Sequence, residues 1–211
     1  MICVSIAHMS QINQAIESGA ELIELRLDLI KEDPVKIYHA IPDHLKTIAT
    51  CRPGALNASE RVAWLKSCMD LGATFIDLEV ESTETFLSTL ISYARKSGTE
   101  VIISYHNFEH TPERKQLESM LHTCYEVGGD VAKIAVHAGS ITDVRDLLSL
   151  YDLPGRKVVL GMGDMGRISR VMGPYLGAEF TFAILEKGEE TAPGQLTMKQ
   201  LNDIYKVIDE S

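Results

Sequence analysis

Asp130-Val-Ala-Lys-Ile-Ala-Val136 sets a lysine in the middle of an otherwise apolar run. Side chains alternate along a strand, so Val131, Lys133 and Ala135 point one way and Ala132, Ile134 and Val136 the other. If the second set packs under helices, the first faces the inside of a sheet or barrel. An ammonium loses its water there, which favours the free amine that attacks carbonyls. A buried lysine paired with a carboxylate reads the same stretch equally well, and the rest of the chain decides between them.

Strand-like and helix-like segments alternate on both sides of this run. Before it come strands over 2–7, 22–29, 47–52, 75–80 and 101–106, followed by helices over 11–17, 34–40, 60–71, 84–96 and 112–127. Ser10 is placed to cap the first helix. Strand 131–136 leads into helix 142–150, strand 158–162 into a short helix over 167–172, and strand 180–185 into helix 197–208. Eight strands alternating with eight helices through short loops predict an α/β fold, a parallel (β/α)8 barrel in which residues 1–211 form a single domain. A doubly wound open sheet is the runner-up.

A formal charge of -10 argues against nucleic acid or an anionic membrane as the main partner. Cys3, Cys51, Cys68 and Cys124 lie far apart with no C-x-x-C, which fits reduced thiols. With no apolar run of membrane-spanning length and no signal-peptide pattern at the N-terminus, a cytoplasmic location is expected.

Barrels carry their chemistry at the C-terminal ends of strands, so strand parity filters the polar residues. On the second strand Glu24, Arg26 and Asp28 share one parity and Ile23, Leu25, Leu27 and Leu29 the other. The same rule turns Thr50, Arg52, Asp77, Glu79, Ser104 and His106 inward with Lys133. Some of these charges must pair with one another. His106 closes Val-Ile-Ile-Ser-Tyr-His, where imidazole can exchange protons near neutral pH, although His8 and His137 also end strands. His106 and His110 are four apart, but Asn107 and Pro112 put them around a turn, which disfavours a metal pair.

Gly161-Met-Gly163-Asp-Met-Gly166 formally matches the dinucleotide fingerprint, yet too little chain follows to complete that unit. A phosphate site at this loop is the better of the two readings. The polar stretch Glu186 to Gln195 suits a lid or an ordinary surface loop.

Taken together, Glu24-Leu-Arg26-Leu-Asp28, Thr50-Cys-Arg52, Ser104-Tyr-His106-Asn-Phe, Asp130-Val-Ala-Lys133-Ile-Ala, Ile168-Ser-Arg170 and Thr191-Ala-Pro-Gly-Gln195 resemble type I 3-dehydroquinate dehydratase, over nearly the whole chain. The resemblance implies a barrel, commonly homodimeric, that needs no metal or diffusible cofactor and removes water from 3-dehydroquinate to give 3-dehydroshikimate. By it, Lys133 forms an imine with the substrate ketone and His106 shuttles protons. Glu24, Arg26 and Arg52 hold substrate hydroxyls, and Arg170 takes the carboxylate. Met162 and Phe182 form apolar walls, while Thr191 and Gln195 belong to a closing lid. A phosphorylated-sugar aldolase on the same scaffold and a catalytically idle sugar-acid binder are the alternatives.

The sequence departs from the family pattern twice. Many members carry a glutamate just beyond the arginine matched by Arg52, where it orients the histidine, and Arg52-Pro-Gly-Ala-Leu56 has none. Glu79, or Glu60 further along the chain, is the replacement, and strand parity favours Glu79. Many members also have an N-terminal hairpin under the barrel, whereas this chain is expected to start at the first strand.

Overall fold

The computed structural model describes residues 1–54 and 56–210. Its eight strands are β1 (Ile2–Ile6), β2 (Leu22–Arg26), β3 (Lys46–Thr50), β4 (Phe75–Glu79), β5 (Glu100–Asn107), β6 (Val131–His137), β7 (Lys157–Met162) and β8 (Thr181–Ala183). They are all parallel, in the order β7-β6-β5-β4-β3-β2-β1-β8. Across the remaining seam, the Glu179 amide donates to the Lys157 carbonyl at 3.0 Å. The sheet is thus a nearly closed barrel, and the open doubly wound alternative falls.

The helices are α1 (Ser10–Glu17), α2 (Leu27–Ile30), α3 (Pro34–His39), α4 (Ala58–Asp70), α5 (Glu84–Ser97), α6 (Arg114–Glu126), α7 (Ile141–Leu148), α8 (Arg167–Tyr175) and α9 (Met198–Asp209), with a 3-10 turn at Ser149–Asp152. Their starts are set by local chemistry. Asn57 and Glu60 form a reciprocal cap on α4, as do Ser140 and Asp143 on α7 and Thr197 and Gln200 on α9.

Several expected boundaries move. Strand β2 stops at Arg26, and Leu27 to Ile30 turn into one helical turn that ends on Lys31 with a φ of 54°. Asp28 therefore leaves the strand, and Leu29 is exposed instead of packed outward. Ser10 is the first residue of α1 and makes no cap bond; the Gln11 side chain accepts from the Ala7 and His8 amides in its place. Strand β8 is only three residues long.

The two sides of the sheet divide as the alternation predicts. Ala132, Ile134 and Val136 join Ile23, Leu25, Ile76, Ile103 and Val159 in the core between barrel and helices. Inside the barrel, Leu22, Ile48, Phe75, Ile102, Val131, Val158 and Phe180 make an apolar floor at the N-terminal ends of the strands. Phe180 stands between Phe75 and Phe182, with ring centroids 5.9 and 5.5 Å away. On the rim below, Arg156 forms ion pairs with Glu100 and Glu179 at 2.6 and 2.7 Å. On β2 to β5 the inward face thus runs from apolar at the bottom to polar at the top, while β7 and β8 stay apolar, and polar chemistry is confined to one end.

Candidate active site

Above the apolar floor lies a cavity of about 470 Å³. Lys133, His106, Glu24, Arg26, Arg52, Glu79, Met162, Arg170, Phe182, Thr191 and Gln195 all line it. Every site residue expected from the sequence is therefore brought to one place. Register explains the gathering: Ser104 pairs with Lys133 and His106 with Ala135 on adjacent strands. His106 thus stands one side-chain layer above Lys133, roughly 7 Å further along the strand direction.

Lys133 is nearly buried, and its Nζ donates to Asp77 at 2.8 Å. Glu24 is 3.9 Å from it, and the Phe182 ring centroid 4.3 Å. Lys133 is thus paired with a carboxylate, and the pair opens onto a cavity. Asp77 accepts from Ser104 at 2.6 Å as well, and its Oδ1 lies 2.9 Å from Arg52 Nη2. Burial would raise its carboxyl, but the Arg52 and Lys133 charges outweigh burial and hold it well below the usual carboxylate range. Glu24 accepts from Ser5 and Thr50 at 2.8 and 3.0 Å.

Two arginines are held by the loops above. Arg26 forms a forked pair with Asp28 at 3.1 and 2.7 Å, and Asp28 also accepts the Arg52 amide at 3.3 Å. The displaced Asp28 therefore still serves the pocket, through a turn and not a strand. Arg170 on α8 is different. It is 1% exposed, its Nη1 donates only to the Phe182 carbonyl at 3.4 Å, and its Nε has no partner among the described residues. Burial pushes its pKa down to about 10. A buried guanidinium without a carboxylate beside it, in a cavity wall, is a built seat for an anionic group.

The ring nitrogens of His106 have no hydrogen-bond partner among the described residues; its ring stacks on Phe108 with centroids 6.2 Å apart. Burial, then the Arg52 and Lys133 charges, hold its pKa well below the usual imidazole value, with Asp77 opposing. Glu79 shares the cavity but does not bond to His106. Its oxygens lie 3.8 Å from Arg52 and 4.0 Å from Arg61. Glu60 is engaged in the α4 cap.

The three glycine amides of the glycine-rich loop are all engaged within the protein and are not offered to a phosphate. The Gly161 amide donates to Ser169, that of Gly163 to the Pro193 carbonyl and that of Gly166 to the Gly163 carbonyl. Its glycines serve close packing: a Cβ on Gly166 would sit 2.4 Å from the Gly161 carbonyl oxygen, and one on Gly194, at a φ of 78°, would sit 2.2 Å from the Gly163 carbonyl oxygen. The Thr191 to Gln195 segment thereby docks on the loop after β7. The Gln195 side-chain oxygen accepts from the Thr191 and Ala192 amides at 2.8 and 3.1 Å, folding the segment over the cavity.

Ser5, Pro53, Phe108, Ala135, Leu160 and Ala192 also line the cavity. Ser5 shares its parity with buried Cys3 on β1, a signal present in the sequence. Asp77 was legible as inward but not as the contact of Lys133. Replacing Asp77 with Asn should lower stability at pH 7 by about 3–5 kcal/mol, since it strips charge compensation from buried Lys133 and Arg52. Because the folded carboxyl is depressed, its contribution is present above the ordinary carboxylate pKa and lost as pH falls through the folded value. Urea unfolding should show the full gap at pH 7 and a narrowing one in acid.

The model of the type I 3-dehydroquinase family matches residues 2–211. The 3-dehydroquinate dehydratase of Methanocaldococcus jannaschii is 30% identical over 99% of this chain and 99% of its own, and that of Methanococcus maripaludis strain C6 is 32% identical over 99% and 100%. The crystal structure of 3-dehydroquinate dehydratase from Aquifex aeolicus superposes with a TM-score of 0.86 at 32% identity, covering 98% of each chain. With inward lysine, histidine and arginines in register along the same barrel, the chain belongs to the type I 3-dehydroquinase family.

Proposed function

We propose that this protein is a hydro-lyase that converts 3-dehydroquinate to 3-dehydroshikimate through an imine on Lys133, a step of the shikimate pathway. The observation that carries the reading is the shared cavity of Lys133 and His106, with the unpaired guanidinium of Arg170 in its wall. The amine of Lys133, once it has passed its proton on, attacks the substrate ketone and the carbinolamine loses water to leave a protonated imine. That imine withdraws electrons from the adjacent carbon. His106 takes the proton from that carbon, and the electron pair forms the new double bond as the hydroxyl departs. His106 returns its proton to the departing oxygen, so a second water leaves. Hydrolysis of the imine restores Lys133 and releases the product ketone.

Around this chemistry, Arg170 receives the carboxylate in a bidentate contact, and Glu24, Arg26 and Arg52 hold hydroxyls. Met162 and Phe182 wall the ring, while Thr191 and Gln195 lie in the segment that closes over it. Glu79 bears on His106 only through Arg52, which it approaches at 3.8 Å. No step calls for a metal or diffusible cofactor. A phosphorylated-sugar aldolase fits less well, because the Gly161, Gly163 and Gly166 amides of the loop after β7 are bonded within the protein.

The enzyme works in the cytoplasm as a homodimer. All four cysteines are free and buried, as suits a reducing compartment, and no helix among the described residues is long and apolar enough to cross a membrane. Exposed Tyr175 and Leu176 on α8 and its C-cap, with Val207 and Ile208 on α9, offer an apolar face for a second copy.

The direct test is the appearance of the conjugated product's ultraviolet absorbance from 3-dehydroquinate, expected with the wild-type protein and abolished in Lys133→Ala; an unchanged rate in the variant would remove the mechanism. Because His106 is shifted downward, it stays a neutral base in mildly acid solution, so kcat/KM should hold to below pH 6.5 before falling. An acid limb above that pH would contradict the environment described. Arg170→Ala should raise KM by roughly a hundredfold or more, the loss expected when a buried anion loses its partner; an unchanged KM would move the carboxylate elsewhere. Sedimentation as a monomer would remove the dimer, and recovery in a membrane or exported fraction would remove the cytoplasmic placement.

A further inference from the structure

Among the described residues, His106 lacks the hydrogen bond that ordinarily fixes the ring of a catalytic histidine. What it has is a flat ring contact: Phe108 lies 12° from parallel with it. The contact follows from the backbone. His106 is on β5, Phe108 follows two residues later with the same parity, and Asn107 between them accepts the Glu109 and His110 amides at 3.0 and 3.1 Å. That side-chain turn holds the chain where Phe108 leaves the strand. Phe108 is 64% exposed, so the core does not hold its ring and the His106 ring is its aromatic contact. It borders both the main cavity and a neighbouring one of about 480 Å³ that reaches Arg61, Glu79 and Glu81.

We propose that Phe108 is the positioning residue for His106: its ring face holds the imidazole plane and steadies the imidazolium formed during proton transfer, in place of a hydrogen-bonded carboxylate. This rests on His106 being the proton shuttle. The charged groups around the imidazole are Arg52, Lys133, Arg26 and Asp77, with Glu79 on the shared cavity wall. Three are cations, so an imidazolium is disfavoured there, and a π face is an electron-rich neighbour that needs no proton of its own. A stacked ring also leaves both nitrogens free for the substrate.

Leucine at position 108 keeps apolar bulk and removes the ring face; tyrosine keeps both. Phe108→Leu and Phe108→Ala should lower kcat by roughly tenfold to a hundredfold, with KM changed by less than about twofold, whereas Phe108→Tyr should retain wild-type kcat. The thermal midpoint should hold in all three, since the side chain is mostly exposed. In NMR spectra of the substrate-free protein, the His106 ring protons should shift in Phe108→Leu and stay in Phe108→Tyr, because the aromatic ring current is lost only in the first. Wild-type kcat in Phe108→Leu, a loss carried by KM, a fallen thermal midpoint, or unmoved His106 resonances would each overturn the proposal. Absence of turnover in the wild-type protein would instead overturn the dehydratase reading, while the NMR comparison would still report whether the stack exists.

Discussion

The contact on which the site depends is the 2.8 Å pairing of Lys133 with Asp77 inside the barrel. Neither charge survives there alone, because removing an ion from water costs several kcal/mol even after relaxation. Asp77 on β4 also takes Ser104 from β5 and Arg52 from the loop after β3, so one carboxylate ties together groups from four neighbouring strands or their ends. The apolar floor below makes this arrangement possible. Phe75, Phe180 and their neighbours fill the lower barrel, and the charges gather above them.

Above Asp77 the charges divide by whether a protein partner answers them. Arg26 has Asp28, and Arg52 has Asp77 and Glu79. Among the described residues, Arg170 has only a carbonyl. A protein that leaves a buried guanidinium unanswered gives up stability that a hydrogen-bonded partner would supply, and a ligand carboxylate returns it on binding. His106 shows the same division, with surroundings that favour its neutral form and nitrogens left without partners among the described residues. The pocket thus sets an unanswered guanidinium and a neutral imidazole around the lysine's cavity, which is what the proposed reaction asks of it.

Much of this was legible from parity alone. Alternation in Val131 to Val136 placed Lys133 inward, and the same rule placed Glu24, Thr50, Asp77, Glu79, Ser104 and His106. It failed where the strand ended sooner than its hydrophobic pattern: Leu27 to Leu29 continue the alternation, yet the chain turns at Arg26 and Asp28 reaches the pocket from a helical turn. Parity also reports facing and not partnership. It could not say that Asp77, and not a carboxylate nearer in sequence, would hold Lys133, or that Glu79 would be drawn to Arg52 and Arg61 instead of His106. The glycines of Gly161 to Gly166 carried a phosphate-like pattern, but Gly161 and Gly166 are small because their backbones touch each other, and Gly163 takes a φ of 80° against His137, which the spacing alone did not distinguish from a phosphate loop.

The central claim is that Lys133, despite its ion pair, is the nucleophile. Borohydride reduction in the presence of 3-dehydroquinate, followed by intact mass and peptide mapping, tests it most directly. A substrate-dependent mass increase mapped to the Val131 to Val136 peptide, on Lys133, is the predicted result. Folded protein that turns over substrate without any trapped adduct, or an adduct on another lysine, would contradict it.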